Sequence, residues 1–210
     1  GTGMVSTRAL APGTGSVSVG TSIFAMVVVD GEAPRLPDVD VVATPEGAPV
    51  AMVHCNNGAS ELAAWAGLLG ELAEGSGHRL EPDEVFTTML AAARDASAEG
   101  LVAYNFAAGE HALGLEDGRP LVARAAGTPL TLGGFVRAQL LSAFSTLRRG
   151  MEAVRAEGVR VDELVAHGGL FRSAGVAQRL LAASLEAPIR VSASAGEGGA
   201  WGMALLAGYR

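Results

Sequence analysis

An α/β fold whose final third forms a parallel sheet is what this sequence predicts, and three features predict it. The chain opens on two β-branched runs around a glycine turn, continues with apolar strands alternating with segments of helical spacing, and closes in a βαβα order. Ser16-Val17-Ser18-Val19 alternates with period two, Gly20-Thr21-Ser22 interrupts it, and residues 23–29 are apolar and β-branched before Asp30-Gly31. This reads as a β-hairpin whose tip glycine supplies a positive φ. Residues 50–55 form a third apolar run, and the Pro-, Asp- and Gly-bearing stretch 32–48 reads as a loop.

Residues 60–72 carry Leu62, Trp65, Leu68, Leu69 and Leu72 at helical spacing, with Asn57 or Ser60 placed to cap the start. Pro82-Asp83-Glu84 opens a second helix running to about Arg94, because proline suits the first turn and acids favour the positive dipole end. Residues 101–106 read as a strand and 107–133 as a loop. Residues 135–157 are a long amphipathic helix holding Leu140, Leu141, Phe144, Leu147, Met151 and Val154. A short strand at 164–166, Gly168-Gly169, a helix at 173–185, a strand at 188–191 and a small-residue helix at 198–208 complete the chain.

Composition narrows the function classes. With 210 residues, 49% hydrophobic and 18% charged, the chain suits a single packed domain. The net charge of −7 and the lack of a basic stripe argue against nucleic acid, which is bound by clustered cations. Every one of the 15 basic side chains is arginine, so a Gly-Lys-Ser/Thr phosphate loop, a Schiff-base lysine and a lysine general base are all excluded. One cysteine, Cys55, excludes an internal disulfide and any multi-thiolate metal site. Apolar runs are too short to span a bilayer and the N-terminus lacks signal-peptide order, so a cytoplasmic protein with no membrane partner is expected. Opening on Gly1-Thr2-Gly3-Met4, the chain reads as a piece of a longer polypeptide.

Three glycine-bearing turns follow or join strands: Gly20-Thr21-Ser22, Asn56-Asn57-Gly58 and Gly168-Gly169. In open α/β sheets, ligands bind beyond the carboxyl ends of strands, where backbone N–H groups and helix dipoles attract anions. Three such turns together point to a phosphorylated ligand. The histidines, His54, His78, His111 and His167, form no i, i+3 or i, i+4 pair, so a metal site is not expected. His54 reads as an interior polar residue, and His167 as a candidate lining of the Gly168-Gly169 crevice. Glu110, on the loop after the 101–106 strand, is either a solvated acid or a substrate-orienting carboxylate. Cys55 reads as an inert buried thiol and Trp65 as core. No Gly-x-Ser-x-Gly elbow is present, which disfavours a hydrolase.

These turns carry a family resemblance. Ser18-Val19-Gly20-Thr21-Ser22 resembles the phosphate hairpin of the FGGY carbohydrate kinases, and His167-Gly168-Gly169-Leu170-Phe171-Arg172-Ser173 with Gln178 resembles their adenosine segment. Gly100-Leu101 with Gly109-Glu110 matches the family's Gly-Leu … Gly-Glu stretch, and residues 197–208 are similar to its final small-residue helix. Val53-His54-Cys55-Asn56-Asn57 and residues 134–140 look closest to xylulokinase-like members. The likeness runs in order over essentially the whole chain. It departs at Leu170, in place of a third glycine, at Val176, in place of a tryptophan, and at Ala183, in place of an aspartate.

The resemblance implies a ribonuclease H-like domain of the actin, hexokinase and heat-shock ATPase type, with residues 1–210 as the C-terminal ATP-binding lobe of a two-lobe sugar kinase. It implies ATP and Mg²⁺ as cofactors, with Gly20, Thr21, Ser22, Gly168, Gly169, Ser173 and Gln178 at the ATP site and Glu110 near the substrate. No metal ligand and no catalytic residue is expected within the chain; the base, an aspartate, would fall about two residues before Gly1. Partners implied are a sugar, best read as a ketopentose such as xylulose, and an N-terminal lobe. An apolar face exposed without that lobe would favour a homodimer. The alternative is a nucleotide-binding or interaction module that has kept the lobe and lost the chemistry.

Overall fold

A computed structural model of the chain describes residues 2–171, 175–191 and 198–208. Its centre is a six-stranded sheet built from β1 (Thr14–Val19), β2 (Ile23–Val28), β3 (Val39–Ala43), β4 (Pro49–Cys55), β7 (Glu163–His167) and β8 (Ile189–Val191), in the order β3-β4-β2-β1-β7-β8. The β1–β2 hairpin pairs Val17 with Ala25, and β4 adds antiparallel to β2, placing Phe24 opposite His54 and Ile23 opposite Cys55. On the other edge of the hairpin, β7 lies parallel to β1 and β8 parallel to β7, as a βαβ crossover requires.

Period-two alternation on β1 divides its side chains between two layers. Val17 and Val19 enter the main core with Ile23, Cys55, Leu164 and Ala166. That face is covered by α2 (Ser60–Gly75), α3 (Pro82–Ala92), α4 (Leu132–Ala156) and α5 (Val176–Leu185). The apolar stripe of α4 supplies Val136, Leu140, Phe144, Leu147, Met151 and Val154, all buried. The opposite face packs Met26, Val28 and Val50 against Met4 of a short N-terminal helix, α1 (Thr2–Thr7). Helix α6 (Gly198–Gly208) lies against α1 so closely that a Cβ on Gly202 would fall 1.9 Å from the Thr2 carbonyl oxygen. A separate β5–β6 hairpin (Leu101–Tyr104 and Leu121–Arg124) packs on Ala138 of α4.

The hairpin, the 50–55 strand, both parallel strands and all five expected helices are present. Three elements escape the periodicity. Strand β3 is an edge strand with one buried residue, β6 has none, and α1 is only six residues long, so none presents a repeating apolar face. The stretches read as loops at 32–48 and 107–133 therefore contain β3, and β6 with a 3₁₀ turn at His111–Leu113. Helix α4 starts three residues earlier than its apolar stripe, at a Thr131 cap whose hydroxyl accepts the Gly134 N–H at 3.1 Å.

Candidate functional site

The carboxyl ends of β1 and β7 adjoin, and the turns that follow them converge there. Gly20, at the exposed end of β1, and Gly169, after β7, both line a cleft of about 400 Å³ whose far wall is α3. Asp83, Phe86, Thr87 and Leu90 contribute that wall, and their i, i+3, i+4, i+7 spacing is one helix face. Gly168 fixes the join between the strands. Its φ is +119°, and a Cβ there would lie 2.1 Å from the Val19 carbonyl oxygen, so only glycine lets the two segments approach.

The Gly20–Ser22 turn is held by the start of α2. Gly58 donates its N–H to the Thr21 carbonyl at 2.7 Å and Ala59 donates to the Gly20 carbonyl at 2.8 Å, while Ser60 Oγ donates to the Thr21 carbonyl at 3.3 Å. Within the turn, Gly20 N–H donates to the Ser22 carbonyl at 2.9 Å. With those carbonyls occupied, the N–H groups of exposed Thr21 and half-buried Ser22 have no partner among the described residues. Two consecutive N–H groups beside a hydroxyl are a donor set of the kind that meets an anion without a lysine.

This arrangement corrects two expectations. Neither Asn57 nor Ser60 caps α2; the N-cap position is Ala59, and the turn's carbonyls take the Gly58 and Ala59 N–H groups just ahead of the helix. Nor does Gly20 have a positive φ, and a Cβ there would approach nothing nearer than the Ser22 carbonyl oxygen at 3.9 Å. The close fit belongs to Gly58, where a Cβ would fall 2.4 Å from the Gly20 oxygen. Its role was legible only as one of three glycine turns, and the α3 wall was not legible as a site at all.

Asn57 instead reaches the loop after β5. Its side-chain oxygen accepts the Ala108 N–H at 3.0 Å, and its Nδ2 donates to the Gly109 carbonyl and, at 3.3 Å, to Glu110. Glu110 is fully buried and accepts the Asn56 N–H at 3.0 and 3.3 Å on its two oxygens. The carboxylate therefore pins the turn before α2, one step removed from the cleft. Beside it, burial and then the Glu110 carboxylate push the Cys55 thiol up to about 12.

Other expected residues lie elsewhere. His167 points to the opposite face of the sheet from Leu164 and Ala166, against Gly3 of α1, and does not line the crevice; burial lowers its pKa. Half-buried His54 lies 5.9 Å, ring to ring, from His111. Trp65 is half-buried, stacks edge-on to Phe135 at 4.7 Å and donates to Glu61 at 2.9 Å. Gln178 is not on the cleft wall; its Nε2 donates to the Ile189 carbonyl at 2.7 Å, tying α5 to β8. Ser173 lies outside the described residues. Among the described residues no group of three or more His, Cys, Asp or Glu is placed to hold a metal, and no helix is long and apolar enough to cross a membrane.

A hairpin-led mixed sheet with a phosphate-type turn facing a glycine segment defines the actin and hexokinase-like class of ATPase folds. The family model for the C-terminal domain of the FGGY carbohydrate kinases matches residues 15–210, and the chain belongs to that family. Solved structures agree on the fold. A xylulose kinase from Rhodospirillum rubrum superposes with a TM-score of 0.70 at 19% identity, covering 99% of this chain and 41% of that one. A gluconate kinase from Lactobacillus acidophilus gives 0.68 at 17% identity, covering 97% and 40%. A Plasmodium falciparum glycerol kinase with ADP gives 0.74 at 13% identity, again covering 97% and 40%. The chain thus spans about two fifths of the structures it matches. No curated protein matches it in sequence.

Proposed function

We propose that this chain is the ATP-binding lobe of a sugar kinase that moves the γ-phosphoryl group of ATP to a hydroxyl of a ketopentose such as xylulose. The pair of N–H groups at Thr21 and Ser22, unpartnered among the described residues, carries the reading. A cleft of about 400 Å³ suits an adenosine-sized ligand, and Gly20, the first residue of that turn, lines it. The residues present fit ATP: Gly168, Gly169 and the α3 face would flank the nucleoside, and Thr21 and Ser22 would receive the phosphates. Among the described residues no ligand cluster provides for Mg²⁺, so it would arrive with the triphosphate and neutralise its charge. A ketopentose acceptor is supported by the xylulokinase-like stretches at 53–57 and 134–140.

Phosphoryl transfer asks the protein for position and charge stabilisation more than for covalent chemistry. The Thr21 and Ser22 N–H groups and the Thr21 hydroxyl orient the phosphate oxygens, and the turn is braced by the Thr21 carbonyl, bonded to Gly58 and Ser60, and the Gly20 carbonyl, bonded to Ala59. A second lobe supplies the sugar site and the aspartate base, and closure of the two excludes water.

The test is an amide NMR titration of the 210-residue chain with ATP, paired with a coupled ADP assay. Expected are shifts concentrated at Thr21 and Ser22, weak binding, and no pentulose-dependent turnover. Perturbations confined to other surfaces, or robust ADP release with a pentulose, would overturn it. The cleft wall at Leu170, where the family carries glycine, supports a second reading, a nucleotide-binding module without chemistry. Turnover by the complete two-lobe protein decides between them.

A further inference from the structure

Beneath the cleft floor is a small chamber of about 10 Å³, which shares Val19, Ala59 and Leu170 as a common wall with the cleft. The rest of its lining is Leu62, Leu140 and Ala143 together with three polar contributors, the Gly58 backbone and the side chains of Asn105 and Gln139, the latter two each 3% exposed. Gln139 Oε1 is buried with no hydrogen-bond partner among the described residues. Asn105 is committed on both sides, since its Oδ1 accepts Ser142 Oγ at 3.0 Å and its Nδ2 donates to the Gly58 carbonyl at 3.5 Å. The second bond is long, in the range where a bridging water competes with direct contact. A volume near 10 Å³ admits one water molecule, and two to four polar partners are what such a water needs.

We propose that this chamber is a hydration site for a single water that donates to Gln139 Oε1 and the Gly58 carbonyl and accepts from Asn105 Nδ2, and that Gln139 and Asn105 are positioning residues for the phosphate turn. Gln139 and Ser142 are i, i+3 on α4 and share one face. Through Asn105 and the water that face grips the Gly58 carbonyl, and the N–H of the same residue holds the Thr21 carbonyl at 2.7 Å. The longest helix of the molecule thereby sets where the Thr21 and Ser22 donors point. The effect on ATP rests on the function proposed above; the effect on the turn does not.

The full 210-residue chain and its Q139M variant, which keeps side-chain length and removes the acceptor, are compared by hydrogen exchange without nucleotide. Protection of the Gly58 and Ala59 amides should fall about tenfold while α5 amides keep theirs. A high-resolution crystal structure of the unsubstituted chain should show one water within hydrogen-bond distance of Gln139 Oε1, so the site is decided even where the variant does not fold. A dry chamber, or unchanged protection at Gly58, overturns the proposal. In nucleotide titrations Q139M should weaken ATP about fivefold and leave adenosine unchanged; equal weakening of both marks a general loosening and also overturns it. A chain that binds neither ligand defeats the kinase reading alone, because exchange and crystallography still decide the chamber.

Discussion

Glu110 shows how a residue flagged by motif can act through structure. A carboxylate with no exposed surface that accepts a backbone N–H on both oxygens is a fastener for the Asn56-Asn57 turn. Glu110→Ala strands the Asn56 N–H and removes one of the bonds that hold the buried Asn57 amide, and about 2–4 kcal/mol of stability should be lost. Glu110→Gln keeps one acceptor and should lose less. Urea denaturation checks the order; equal, negligible losses would show that the turn stands without the carboxylate. Cys55 was readable as inert from its type alone, and its apolar neighbours with Glu110 explain why: both hold the proton on sulfur. What no sequence pattern could show was the partner, because Asn56 and Glu110 are 54 residues apart and meet only after β4, α2, α3 and β5 are in place.

At the scale of elements, the hairpin turn and the start of α2 behave as one unit. Gly58, rather than Gly20, bears the steric demand, and this gives a pair of contrasting substitutions. Gly58→Ala forces the Gly20 and Ser22 backbone away, breaking the bonds from Gly58 and Ala59; about 2–3 kcal/mol should be lost, along with any ATP binding. Gly20→Ala should stay within about 0.5 kcal/mol of the parent by thermal denaturation, since its φ is ordinary and its Cβ has room. A loss of ATP affinity in that stable variant would show that glycine is kept there for the ligand's approach. Comparable destabilisation by both would contradict this division of labour. Strand β1 and helix α4 are legible from their periodicity, and β2 and β4 from short apolar runs that are buried along most of their length. The edge strands β3 and β6 were not, since their pairing comes from neighbours and leaves most side chains exposed.

For the whole molecule, the two faces of the sheet differ in how they are closed. The main core is sealed by four helices, whereas the other face depends on α1, six residues long, and on α6 lying across it. His167 sits in that thinner layer, 5% exposed, with its Nε2 lacking a partner among the described residues and against Gly3. Sequence order suggested the crevice for His167 because Gly168 follows it. Strand alternation sends it to the opposite face, since Ala166 already points into the main core. Burial lowers its folded-state pKa, so between the ordinary histidine value of 6.5 and the lower folded value the unfolded chain binds more protons than the native one. Stability is therefore full above about pH 6.5 and declines as the pH falls through the window below it. The urea midpoint should drop between pH 7.5 and pH 5.5, and His167→Leu should flatten that part of the drop. Hydrogen exchange should place the acid-sensitive opening at α1 and β7, ahead of α4. A midpoint whose pH slope is identical in His167→Leu, or opening that begins in α4, would show that the weak layer lies elsewhere.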